Sequence, residues 1–146
     1  MSKRQREQDR CARRVSLWML YGMDVTGRDA KQMLRQSYGS VVELEPEAAQ
    51  VWAKVERCVE GVSEQLNTLN TQIQEVSPRW RLDRMASIDR NILRLGAWEL
   101  FERTGPPLVV VNDCIELAKE YGDKGTPAFI NGLLDQLCKN HKITAP

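Results

Sequence analysis

Apolar residues recur three and four positions apart along almost the whole chain, and no stretch alternates over the length of a strand. That pattern predicts an all-α fold. A first helix is expected over residues 3–23, stopping near Thr26-Gly27, and a short one over 28–38, ended by Gly39. Glu45-Pro46-Glu47 then opens a long helix, because proline at the first turn with acidic neighbours suits a helix N-terminus. Val51, Val55, Cys58, Val59, Val62, Leu66, Leu69 and Ile73 carry it to about Val76, with Gly61 as a candidate break and Ser77-Pro78 as its end. A turn of helix is expected over 80–85, followed by a strong helix over 87–103 with Ser87 as N-cap and Asp89 in its first turn. Gly105-Pro106-Pro107 interrupts, and a helix over 110–121 follows. The last helix opens with Thr126 as N-cap and Pro127, and carries the stripe Ile130, Leu133, Leu134, Leu137 and Cys138. About seven helices result. Pro78 divides them into halves of about 1–77 and 78–146, each too small for much of a core of its own, so two small, tightly packed helical bundles in one domain are expected.

Composition narrows the class. With 146 residues, 42% hydrophobic and 28% charged, the chain reads as one soluble globular domain. Its longest apolar runs, such as Leu17–Tyr21 and Leu108–Val111, are too short to cross a bilayer, so no membrane role is expected. The charged N-terminus does not read as a secretory signal. Cys11, Cys58, Cys114 and Cys138 are scattered without a CxxC pair, and His141 is the only histidine, so neither a metal nor a cofactor is expected. Buried thiols in a reducing cytoplasm fit this usage. One histidine, no paired carboxylates in an apolar setting, no glycine-rich phosphate loop and no nucleophile elbow argue against an enzyme. Asp113 and Glu116 read as surface charge.

Charge changes the picture most. The first fourteen residues carry Lys3, Arg4, Arg6, Arg10, Arg13 and Arg14 against Glu7 and Asp9, a local net of +4 in a chain that totals only +1. On a helical projection Arg6, Arg10, Arg13, Leu17 and Tyr21 share one face, while Cys11, Val15, Trp18, Met19 and Gly22 share the face that reads as core. A charge run is commonly no more than a solvated face. Clustering on one side of a helix, in a chain otherwise net acidic, points instead to an anionic partner such as nucleic acid. Arginine suits phosphate because its planar fork binds two oxygens and also stacks on bases. Tyr21 and Phe129 are the candidate stackers, each off its helix's apolar stripe. Trp18, Trp52, Trp80 and Trp98 read as mainly structural. Asp89 and Arg90 read equally well as a helix-terminal charge with a solvent partner or as a binding pair.

Three segments together resemble the NusB family of bacterial transcription antitermination factors over essentially the full length. They are the Arg-rich helix through Ala12-Arg13-Arg14-Val15 to Leu20-Tyr21; Ile88-Asp89-Arg90-Asn91-Ile92-Leu93-Arg94-Leu95 with Glu99-Leu100; and Val111 to Lys119 with Phe129-Ile130-Asn131-Gly132-Leu133-Leu134-Asp135 downstream. The resemblance implies an all-helical protein that binds boxA-type single-stranded RNA together with a ribosomal small-subunit protein acting as NusE. The pair is loaded onto the RNA polymerase antitermination complex that supports ribosomal RNA synthesis. It also implies RNA contacts by Arg6, Arg10, Arg13, Tyr21 and Phe129, and a contribution of Asp89 to the protein partner's surface, with Arg90 beside it. Lys3 and Arg14 join the RNA candidates on charge. The family often has an acidic residue near Arg14-Val15, and Gly125 stands where some members carry an RNA-implicated aspartate.

Two other readings compete. Some ribosomal RNA cytosine methyltransferases carry a NusB-like N-terminal module, but this chain has no methyltransferase half. A protein-only homodimeric scaffold would instead use Leu17, Leu20 and Tyr21 as a subunit contact. RNA binding should weaken steeply with salt, and an apolar dimer contact should not.

Overall fold

The structure is a computed structural model that describes residues 2–143. Among the described residues the regular elements are seven α-helices and one short 3-10 turn. They form two compact units, Met1–Glu64 and Gln65–Pro146.

The first unit holds α1 (Lys3–Thr26), α2 (Ala30–Leu44) and α3 (Ala48–Glu64). Local chemistry sets each boundary. Ser2 caps α1 by accepting the Gln5 amide at 3.1 Å. Gly27 ends it in the left-handed region, φ 78°, where a glycine meets no Cβ penalty. Asp29 opens α2 with a reciprocal capping box: its carboxylate accepts the Gln32 amide at 2.9 Å, and the Gln32 side chain accepts the Asp29 amide at 3.3 Å. The expected stop at Gly39 is overridden, and α2 runs on to the turn before Pro46. The α3 stripe of Val51, Val55, Cys58, Val59 and Val62 is buried as its spacing predicts.

The second unit holds α4 (Leu66–Val76), the 3-10 turn (Leu82–Arg84), α5 (Ser87–Glu102), α6 (Pro107–Tyr121) and α7 (Thr126–Asn140). The single long helix expected through residue 76 is therefore two helices, broken at Gln65 and not at Gly61. The boundary between units falls there too, ahead of the division expected at Pro78, because α4 packs on α5 and α7. Arg94 reinforces the α4–α5 contact, donating to Asn70 Oδ1 at 2.9 Å and to Asn91 Oδ1 at 3.1 Å. At Gly96 the backbone of α5 approaches its neighbours closely. A Cβ there would stand 3.0 Å from Cys114 Sγ and 3.1 Å from the Leu134 methyls. Ser87 and Thr126 are the first helical residues of α5 and α7, one position inside their expected cap roles.

Candidate nucleic-acid interface

In the first unit, α1 exposes Lys3, Arg4, Arg6 and Arg10 along its first two turns. Side chains here are tied across to α3: Lys54 Nζ meets Asp9 Oδ1 at 2.7 Å, and Arg4 Nη2 and Gln8 Nε2 each donate to Gln50 Oε1 at 3.4 Å. Beyond residue 10 the one-faced projection fails. Cys11, Ala12, Arg13, Val15, Ser16, Leu17, Met19 and Leu20 are all buried, which is most of the helix circumference. Arg13 is 7% exposed and Leu17 1%, so neither belongs to the surface face expected for it. Arg14 is ion-paired with Glu45, the residue that ends α2, with both side chains about a third exposed. Its charge is answered within the chain. Tyr21 does reach the surface, at 41% exposure. Because Leu17 and Leu20 are enclosed, the apolar homodimer contact expected there retains only Tyr21.

In the second unit, Phe129 is half-buried near the start of α7. Opposite it stands Trp80, 61% exposed, its ring centroid 6.2 Å from that of Phe129 and its plane turned by 85°. Trp80, expected to be mainly structural and to open a helical turn over 80–85, lies instead in the connector ahead of the 3-10 turn, where no helical phase can assign it a side. The two rings bound a groove of about 380 Å³ lined also by Val76, Pro78, Arg79, Gly132 and Leu133.

The connector that presents Trp80 is pinned from two directions. Gln74 Nε2 donates to the carbonyls of Ser77 and Trp80, each at 2.9 Å, while Gln74 Oε1 accepts the Leu82 amide at 2.9 Å. Arg90 Nη1 reaches the carbonyls of Leu82, Asp83 and Met85 at 3.5, 3.2 and 3.4 Å. Arg90, expected to face a protein partner, thus braces the 3-10 turn.

Asp89 is partly exposed and accepts from Thr126 Oγ1 at 3.2 Å, while that hydroxyl accepts the Asp123 amide at 3.0 Å. Burial pushes the Asp89 carboxyl above its ordinary range; the Thr126 hydrogen bond opposes this and nearby Asp123 adds to it. Asp113, expected at the surface, is buried, whereas Glu116 is exposed and pairs with Lys119 at 3.1 Å. Cys11, Cys58 and Cys114 are buried and Cys138 is half-buried. Burial, foremost, raises the Cys11 and Cys138 thiols, which therefore stay protonated at neutral pH. Among the described residues no cluster of His, Cys, Asp and Glu is placed to hold a metal ion, and no helix is long and apolar enough to cross a membrane.

A sequence profile of the NusB family matches residues 10–139. The chain belongs to the NusB family. The transcription antitermination protein NusB of Sorangium cellulosum is 38% identical over 129 residues, spanning 88% of this chain and 89% of that protein. Its counterpart in Anaeromyxobacter dehalogenans is 40% identical over 126 residues, spanning 86% and 87%. Among solved structures, T. maritima NusB superposes with a TM-score of 0.77 at 29% identity over 94% of this chain and 92% of that one. A chain from the crystal structure of antitermination factors NusB and NusE in complex with dsRNA superposes with a TM-score of 0.80 at 25% identity, covering 92% and 98%. The NusB fold thus accounts for the all-α architecture.

Proposed function

We propose that this chain is an antitermination factor of the bacterial cytoplasm that binds boxA-type RNA together with the ribosomal small-subunit protein acting as NusE. The pair would join the RNA polymerase antitermination complex and support ribosomal RNA transcription. The observation that carries this reading is the shared fold, over nearly the whole of both chains, with a NusB structure that contains NusE and RNA. The role is one of binding, and no residue is assigned a catalytic step.

The residues divide by the chemistry they offer. Lys3, Arg6 and Arg10 are exposed cations suited to phosphate, which supplies affinity without sequence choice. Tyr21 and Phe129 offer aromatic surface to unpaired bases. The partly exposed Asp89 carboxylate is the residue we assign to the protein partner. Arg13 and Arg14 act through the fold: one is buried and the other is paired with Glu45.

The test is a fluorescence-anisotropy titration of the full chain with a short single-stranded boxA-type RNA, a scrambled single strand and a duplex, each with and without the ribosomal partner. Tighter binding to boxA than to the scrambled strand, strengthened by the partner, is the expected outcome. Equal affinity for boxA and scrambled RNA under both conditions would sink the reading.

A further inference from the structure

We propose that the groove between Trp80 and Phe129 receives a single unpaired nucleobase of the bound RNA, with Trp80 as a base-contacting residue and Gly132 keeping the slot open. This rests on the RNA-binding reading and names one subsite within it.

The two rings stand nearly perpendicular, at 85°, with centroids 6.2 Å apart. A flat aromatic guest lying on the face of either ring therefore meets the other ring edge-on, both of which are favoured arrangements for π systems. The volume of about 380 Å³ falls at the small end of ligand pockets, which run from about 300 to 1,000 Å³. The charge fits a nucleotide better than a neutral apolar guest. Arg79 lines the groove, and the run Arg79-Trp80-Arg81-Leu82-Asp83-Arg84 sets three arginines against one aspartate, with Arg81 held to Asp83 at 3.0 Å. Guanidinium beside exposed aromatic surface is the combination that binds single-stranded nucleic acid, cations following the backbone while rings take the bases. The backbone that carries Trp80 is braced before any ligand arrives, by Gln74 at Ser77, Trp80 and Leu82 and by Arg90 at Asp83.

Gly132 supplies the handle for a test. It lies in the interior of α7 on the groove wall, and a Cβ added there meets nothing within 4 Å. A larger side chain at this position enters open space and replaces a poor helix former with a good one. Gly132→Leu should therefore add bulk at the groove wall without weakening the fold.

The experiment titrates the full chain, Trp80→Ala and Gly132→Leu with the boxA-type single strand at several salt concentrations, and records a thermal melt of each. Both variants should bind about tenfold more weakly with an unchanged salt slope, and Gly132→Leu should melt at or above the wild-type temperature. A scan replacing one nucleotide at a time by an abasic site should reveal one position whose loss weakens the wild type about tenfold but leaves Trp80→Ala unaffected. Wild-type affinity in both variants overturns the groove assignment and leaves the RNA reading standing. Failure of the unaltered chain to bind RNA overturns the RNA reading and this inference with it. Unchanged RNA affinity with weakened binding of the ribosomal partner makes the groove a protein site and also overturns the proposal.

Discussion

At Asp89 a single carboxylate serves the fold while remaining partly open to solvent. Its hydrogen bond from Thr126 links the first turns of α5 and α7, and burial raises its pKa. The folded state therefore holds the Asp89 proton more tightly than the unfolded chain does. The associated stability is fully present below the ordinary carboxylate pKa and is lost as pH rises through the raised folded value. Asp89→Asn keeps an acceptor for Thr126 and removes the charge. Its melting temperature at neutral pH should equal or exceed that of the wild type, with a flatter profile through the mildly acidic range. Asp89→Ala, which leaves the Thr126 hydroxyl without that acceptor, should cost about 0.5–1.5 kcal/mol. Thermal melts across pH decide the matter, and an Asn variant less stable than the Ala variant would contradict the assignment. The sequence placed Asp89 in a first turn, but its partner Thr126 lies in a different helix, so the contact was invisible to local pattern.

Among the elements, several helix boundaries followed the chemistry of proline, glycine or a capping side chain, although Gly39 and Gly61 lie inside helices that run past them. Gly27 closes α1 and Pro127 sits in the first turn of α7, whereas Pro107, expected within an interruption ahead of a helix from residue 110, itself opens α6. The break between α3 and α4 escaped notice because Gln65 carries no such signal and the apolar stripe continues through it. The middle of α1 misled for the opposite reason. A projection with one wet face assumes one dry face, whereas residues 11–20 are enclosed on most sides, which takes Arg13 and Leu17 inward. Trp80, in a connector, had no period to place it. Close packing at Gly96 gives a direct check on α5. With Cys114 Sγ and the Leu134 methyls only 3.0–3.1 Å from where a Cβ would stand, the neighbours must shift to admit a methyl group. Gly96→Ala should destabilise by about 1–3 kcal/mol despite the better helix propensity of alanine, as read by denaturant unfolding. A stabilised variant would mean that α6 and α7 yield more readily than the packing implies.

For the whole molecule, the first fourteen residues carry +4 in a chain that totals +1, and Lys3, Arg4, Arg6 and Arg10 among them are exposed. Replacing Arg6 and Arg10 together by alanine should weaken binding to every RNA tested. It should also reduce the salt slope by about 1.4, the loss expected when two single-strand phosphate contacts disappear. Measured slopes for the parent and the double variant check this, and identical slopes would move the phosphate contacts elsewhere. Family-level sequence blocks made the fold and the RNA role legible, because they report which residues recur together. They did not reveal which arginines remain outside, since that depends on how completely α1 is enclosed. The start of α1 carries a cost of its own. Its first turn contains Lys3, Arg4 and Arg6 and no acidic residue within that turn, so the cations lie at the positive end of the helix dipole and oppose it. Added salt screens that repulsion even as it screens attraction to phosphate. The ionic conditions that loosen RNA therefore firm up the helix that attracts it, and a weak complex at high salt is no sign of a frayed N-terminus.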